Sequence, residues 1–206
     1  HRSGSDFRAE MNCAGGFNNT AIGSKTLKAI TTGQNNTAIG AVALSVTTGN
    51  QNTAVGSGAL SNNTTAHYNT AVGNIALGAN TTGTYNTAIG MGSLRTLSVN
   101  NASTAVGYNA IYMNTGAGNT SVGYNALSGN PTSTGGLNTA IGSQSSQSVT
   151  TGTYNSALGR QSLYSTTTGF SNTAVGVSAL YSNTTGYRNI ALGDSAGYAY
   201  TTLSNR

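Results

Sequence analysis

A glycine preceded by an aliphatic residue returns at Gly23, Gly40, Gly56, Gly73, Gly90, Gly107, Gly123, Gly142, Gly159, Gly176 and Gly193. The intervals are 17, 16, 17, 17, 17, 16, 19, 17, 17 and 17 residues. Disorder keeps no such phase, so the chain is a stack of supersecondary units, each too small to bury a core alone. Thr, Gly, Asn and Ser supply 112 of the 206 residues, and no apolar stripe of helical period runs through them. The period therefore predicts an all-β chain: a parallel β-roll or β-solenoid of about eleven rungs of 16–19 residues.

Each column of the repeat has its own chemistry. Before the glycine stands Ile22, Ile39, Val55, Val72, Ile89, Val106, Val122, Ile141, Leu158, Val175 or Leu192. Ala precedes it except at Ser121, Thr precedes that except at Ser156 and Ile190, and Asn opens the segment except at Ser103. Four residues beyond the glycine a second aliphatic recurs from Leu27 to Leu180, with Ser146 and Gly197 breaking the column, and a small residue always precedes it. Thr-Thr-Gly closes most units.

Side chains alternate across a strand. With the aliphatic before the glycine pointing inward, the Thr points inward too and the Ala outward. On a second strand the Leu points inward and its small neighbour outward. Burying each Ile, Val or Leu contributes about 1.5–3 kcal/mol, which one rung cannot set against the ordering of its residues, so stability comes from stacking. Two outward columns of Ala make an uncharged strip, and Ala38, Ala54, Ala71, Ala88, Ala105, Ala140 and Ala174 are the expected contacts of a side-by-side homotrimer. The alternative is that Ala fills space inside a monomeric roll. Stacked Asn and Thr form ladders that satisfy corner backbone groups.

Length varies only between the second aliphatic and Thr-Thr-Gly, most of all at Ser128-Gly129-Asn130-Pro131-Thr132, which holds the single proline. An insertion there bulges outward. Residues 1–16 read as an extension or degenerate cap, 17–203 as one solenoid domain and 204–206 as a tail. With strands about 4.8 Å apart, ten intervals make a rod of roughly 48 Å.

Composition excludes most chemistry. The acids are Asp6, Glu10 and Asp194, so paired carboxylates for glycoside hydrolysis and ligand sets for hard metals are not to be had. No phosphate loop, metal-ligand spacing or Ser/His/Asp set occurs, and no enzyme, cofactor or metal site is expected. The net charge is +5, but the cations are scattered singly, whereas phosphate-backbone binding needs several on one groove; nucleic acid is not an expected partner. No run of 18 apolar residues spans a membrane, and the N-terminus lacks signal-peptide character. Cys13 cannot pair within the chain and reads as a small residue of the degenerate first rung. The Asn-x-Thr/Ser triplets follow from the repeat and carry no message about glycosylation.

Asn69-Thr70-Ala71-Val72-Gly73, Asn172-Thr173-Ala174-Val175-Gly176 and the closing Arg188–Tyr198 stretch resemble the YadA-like head repeats of trimeric autotransporter adhesins. They are also similar to the NTAIG-repeat regions of phage tail-fibre and appendage proteins. The likeness covers about residues 17–203. It implies a left-handed β-roll, trimerised side by side, outside the cell or on a virion. The rung is longer than in the adhesin heads, and Thr stands where they carry Val.

Three functions are weighed. The first is a structural shaft or head, of a phage tail fibre or bacterial surface adhesin, that projects and attaches to a cell-surface glycan or protein receptor. Tyr68, Tyr85 and Tyr154, in the column before the Asn, are candidate contacts, as are Asn130 and Pro131 of the insert. Flat rings beside Asn and Thr suit sugars; stacking on one another at the roll's edge is the competing reading. The second is ice binding through Thr ladders, against which stand the inward Thr column and the variable insertions. The third is a self-assembling extracellular filament subunit.

Overall fold

The computed structural model describes residues 16–96 and 101–206. Cys13 and nearly all of the expected N-terminal cap lie outside them. Each unit contributes one strand of three residues: β1 (Thr20–Ile22), β2 (Thr37–Ile39), β3 (Thr53–Val55), β4 (Thr70–Val72), β5 (Thr87–Ile89), β6 (Thr104–Val106), β7 (Thr120–Val122), β8 (Thr139–Ile141), β9 (Ser156–Leu158), β10 (Thr173–Val175) and β11 (Ile190–Leu192). They form one parallel sheet in sequence order. Register is one-to-one from Thr20↔Thr37 to Val175↔Leu192, so every column of the repeat is a physical column on the rod. The chain is a β-solenoid, and among the described residues it has no helix.

The Asn before each strand holds successive rungs together. Asn36 Oδ1 accepts the backbone N–H of Asn52 at 2.9 Å, and its Nδ2 donates to the carbonyl of Gly49 at 2.9 Å. The same pair recurs at Asn155, which accepts from the N–H of Asn172 at 3.0 Å and donates to Gly169 at 2.8 Å. One side chain thus binds both the Asn and the preceding Gly of the next rung, which is why the length between Thr-Thr-Gly and the strand does not vary. Ser103 takes the place of Asn with its hydroxyl accepting from the N–H of Asn119 at 3.3 Å. Each such bond satisfies a buried backbone group that has no ladder partner.

The motif glycines are required twice over. Gly107 has φ +134°, and a Cβ there would lie 2.5 Å from the carbonyl oxygen of Gly123 in the next rung.

The far side of the rung is not a second strand. The residues two and four beyond each glycine are left-handed, as at Ile75 (φ 56°) and Leu77 (φ 50°). The chain there runs as a succession of turns, tied to the next rung by single bonds such as the Leu94 N–H to the carbonyl of Ala110 at 3.0 Å. Left-handed Leu is costly, about 1–3 kcal/mol per residue, and is held by full burial: Leu44, Leu60, Leu77, Leu94, Ile111, Leu127 and Leu163 are 0% exposed.

These turns overturn the expected facing. Ala38, Ala54, Ala71, Ala88, Ala105, Ala140 and Ala174 are all 0% exposed within the single chain and cannot form a strip between copies. The second small column is inside as well, with Ala43, Ala59, Ala76, Ala110, Ala126 and Ala179 buried. The expected inward residues before the glycine face out instead, Ile89 at 41% and Leu158 at 48% exposure. The reason is width. The Leu column occupies the middle of the rung, and only a side chain as small as Ala or Ser fits opposite it. Beside the Leu and the two Ala the interior holds one further buried column, three residues beyond the Leu: Ile30, Thr47, Asn63, Asn80, Val149 and Thr166.

Residues 204–206 are bonded to the last rung. Ile190 N–H donates to the carbonyl of Arg206 at 2.7 Å, and Arg206 N–H donates to Asn189 Oδ1 at 3.2 Å, continuing both ladders.

Candidate functional site

With Ala inside, both its neighbours on each strand face outward. The sheet therefore presents two parallel columns, Thr on one side and Ile, Val or Leu on the other, in register along the rod. Rungs stand about 4.8 Å apart, and residues i and i+2 of a strand about 6.6 Å apart, so hydroxyls and methyls recur across the face at those two spacings. No strand residue is charged.

The strand threonines differ from those at the corners. Thr48, Thr64, Thr150, Thr167 and Thr184 donate their hydroxyls to carbonyls of the following rung at 3.0–3.1 Å. The hydroxyls of Thr53, Thr70, Thr87 and Thr104 have no partner among the described residues and, only half-buried, face solvent. Sequence reasoning missed this face. The signal was the tolerance of each column: Ala yields only to Ser121, whereas Ile, Val and Leu interchange, as an unconfined position allows.

The predicted tyrosines are exposed. Tyr68 and Tyr85 stack in adjacent rungs with centroids 5.0 Å apart and planes 4° from parallel. Tyr154 occupies the same column four rungs on and is 61% exposed. A second ladder joins Tyr164, Tyr181 and Tyr198 at 5.0 Å spacings. Both readings of Tyr68 and Tyr85 are thus compatible: the rings stack on each other and still offer their edges and hydroxyls to solvent. The insert is a built turn, with Asn130 Oδ1 accepting from the Thr132 N–H at 3.0 Å and the Asn130 carbonyl accepting from the Ser133 N–H at 2.9 Å. Asn130 and Pro131 are exposed at its tip. The structure does not bring this tip and the Tyr68–Tyr85 pair into one pocket; they lie on different rungs and different corners.

A depression of about 530 Å³ is lined by Lys25, Lys28, Val42 and Val46 in the first two rungs. Arg95 lies over the ring of Tyr112, 5.5 Å from its centroid, and donates to its hydroxyl at 2.7 Å. Among the described residues no helix is long and apolar enough to cross a membrane. No family model, curated protein or solved structure matches this chain.

Proposed function

We propose that the chain is a stiff, non-enzymatic segment of an extracellular fibre, a shaft or head that projects from a cell or virion and attaches to a surface. The single observation that carries this reading is the unbroken in-register ladder of eleven strands. A rod whose every rung is bonded to the next resists bending and leaves little backbone for proteases. Attachment falls to side chains that the ladder repeats at fixed intervals: the paired rings of Tyr68 and Tyr85, Tyr154, and the Asn130-Pro131 turn. Their chemistry suits a glycan, whose ring faces stack on aromatics while its hydroxyls meet Asn and Thr.

The side-by-side homotrimer loses its alanine contact, since those residues fill the interior.

A glycan array probed with the purified chain tests attachment. Binding to a defined set of sugars, abolished by the pair Tyr68→Ala and Tyr85→Ala, supports the reading; an array silent for the intact chain removes glycan attachment.

A further inference from the structure

We infer that the outward sheet face binds ice, the Thr and aliphatic columns together ordering a layer of water that merges with a crystal surface. Of the two objections to ice binding in the sequence, the inward Thr column is reversed by the structure, and the variable insertions lie off the strands that make this face. The strand Thr column lies outside, in register over β1–β8 and β10 with Ser156 in β9. The length variation sits beyond the interior Leu, at Ser128–Thr132, and not on the strands.

A surface that holds ice must be rigid, regular and only weakly hydrated. Regularity comes from the one-to-one register, with repeats of about 4.8 Å along the rod and about 6.6 Å across it. These approach the two oxygen repeats on a prism face of hexagonal ice. Rigidity comes from the buried Asn ladder on one flank and the Leu column beneath; side-chain ladders of this kind let a many-stranded sheet run flat. Weak hydration comes from the β-branched column, Ile39, Val55, Val72, Ile89, Val106 and Val122, whose methyls cage water without binding it.

A row of Thr distinguishes ice from a second copy of the chain as the occupant. A contiguous exposed apolar face calls for some partner. Were copies packed here, the hydroxyls of Thr70, Thr87 and Thr104 would be stripped of water opposite other methyls and hydroxyls, at a cost for each left unpaired. Against ice every hydroxyl keeps water as its partner, held at the spacing of its neighbours.

Thermal hysteresis and inhibition of ice recrystallisation, measured on the full chain, test the inference, with sedimentation recording its oligomeric state. The expected result is activity in the intact chain, lost in Thr104→Tyr and in Val106→Tyr, and kept in Ser61→Tyr. Ser61 belongs to a corner column that already carries Tyr at Tyr112, Tyr164 and Tyr181, so that variant controls for added bulk, and circular dichroism shows that each variant retains the β fold. Absence of activity in the folded chain overturns the inference, as does equal activity in Thr104→Tyr. An oligomer that Thr104→Tyr dissociates overturns it too and gives the face to contact between copies. None of these outcomes touches attachment through Tyr68 and Tyr85, which the glycan array reads separately.

Discussion

The hydroxyl of Ser121 donates to the carbonyl oxygen of Ala126 at 2.8 Å, inside the rung. Ser121 is the single replacement in the strand Ala column, and it is fully buried. A polar group in that column is tolerated because it finds a carbonyl across the narrow interior. The bond marks the column as the inner wall of the coil.

Neighbouring residues of one strand should therefore respond oppositely to change. Ala105→Val forces two methyl groups against the Leu column and should cost about 1–3 kcal/mol. Val106→Thr, on the outer face, should fall within about 0.5 kcal/mol of the parent. Urea denaturation of the two variants reads the difference, and a larger loss in Val106→Thr would mean the strand faces the other way.

Truncating the interior leucine should be more severe. Leu163 is 0% exposed, and Leu163→Ala removes the centre of its rung at an expected cost of about 2–5 kcal/mol. Hydrogen exchange should show the loss first in the amides of β9 and β10, since each rung is held chiefly by its neighbours.

The Asn ladder offers a graded test. Asn155→Ala leaves the Asn172 N–H and the Gly169 carbonyl without their partner, at about 1–3 kcal/mol for each buried group. Asn155→Ser should cost less, because Ser103 shows that a hydroxyl can accept from the next rung's Asn N–H. Thermal melts of the two variants should rank Ala below Ser; equal melting would show that the ladder contributes nothing beyond filling space.

Two glycines separate backbone conformation from close approach. Gly107 and Gly193 have φ of +134° and +122°, but a Cβ at Gly107 meets the Gly123 carbonyl oxygen at 2.5 Å, whereas a Cβ at Gly193 meets nothing within 4 Å. Gly193→Ala should therefore cost only the strain of the left-hand region, about 1–3 kcal/mol, and Gly107→Ala distinctly more. Denaturation midpoints compare them directly. Equal losses would assign the whole requirement to φ.

The period, the parallel one-to-one stacking, the glycine corners and the Asn ladder were all legible in the sequence. Each is a property of a column, and a column needs only the repeat to be seen. Asn36, Asn52 and Asn69 announce their ladder because few side chains offer a donor and an acceptor at that reach. The second side of the rung was not legible. Leu77 and Leu94 adopt φ near +50°, a conformation for which Leu carries no signal, so a stretch of turns reads as a strand. The exposure of Tyr68 and Tyr85 followed from their place at a corner, but the outward face of Thr and Val did not.

What the sequence determined alone is that the chain coils, with what pitch, and which residues lie above one another. Only the tertiary structure decided which side of each strand is the inside. A three-residue strand of Thr, Ala and Val can bury either its centre or its two ends, and alternation by itself permits both. The choice falls to the opposite wall, where left-handed turns aim Leu across a narrow space and leave room only for a residue as small as Ala or Ser121.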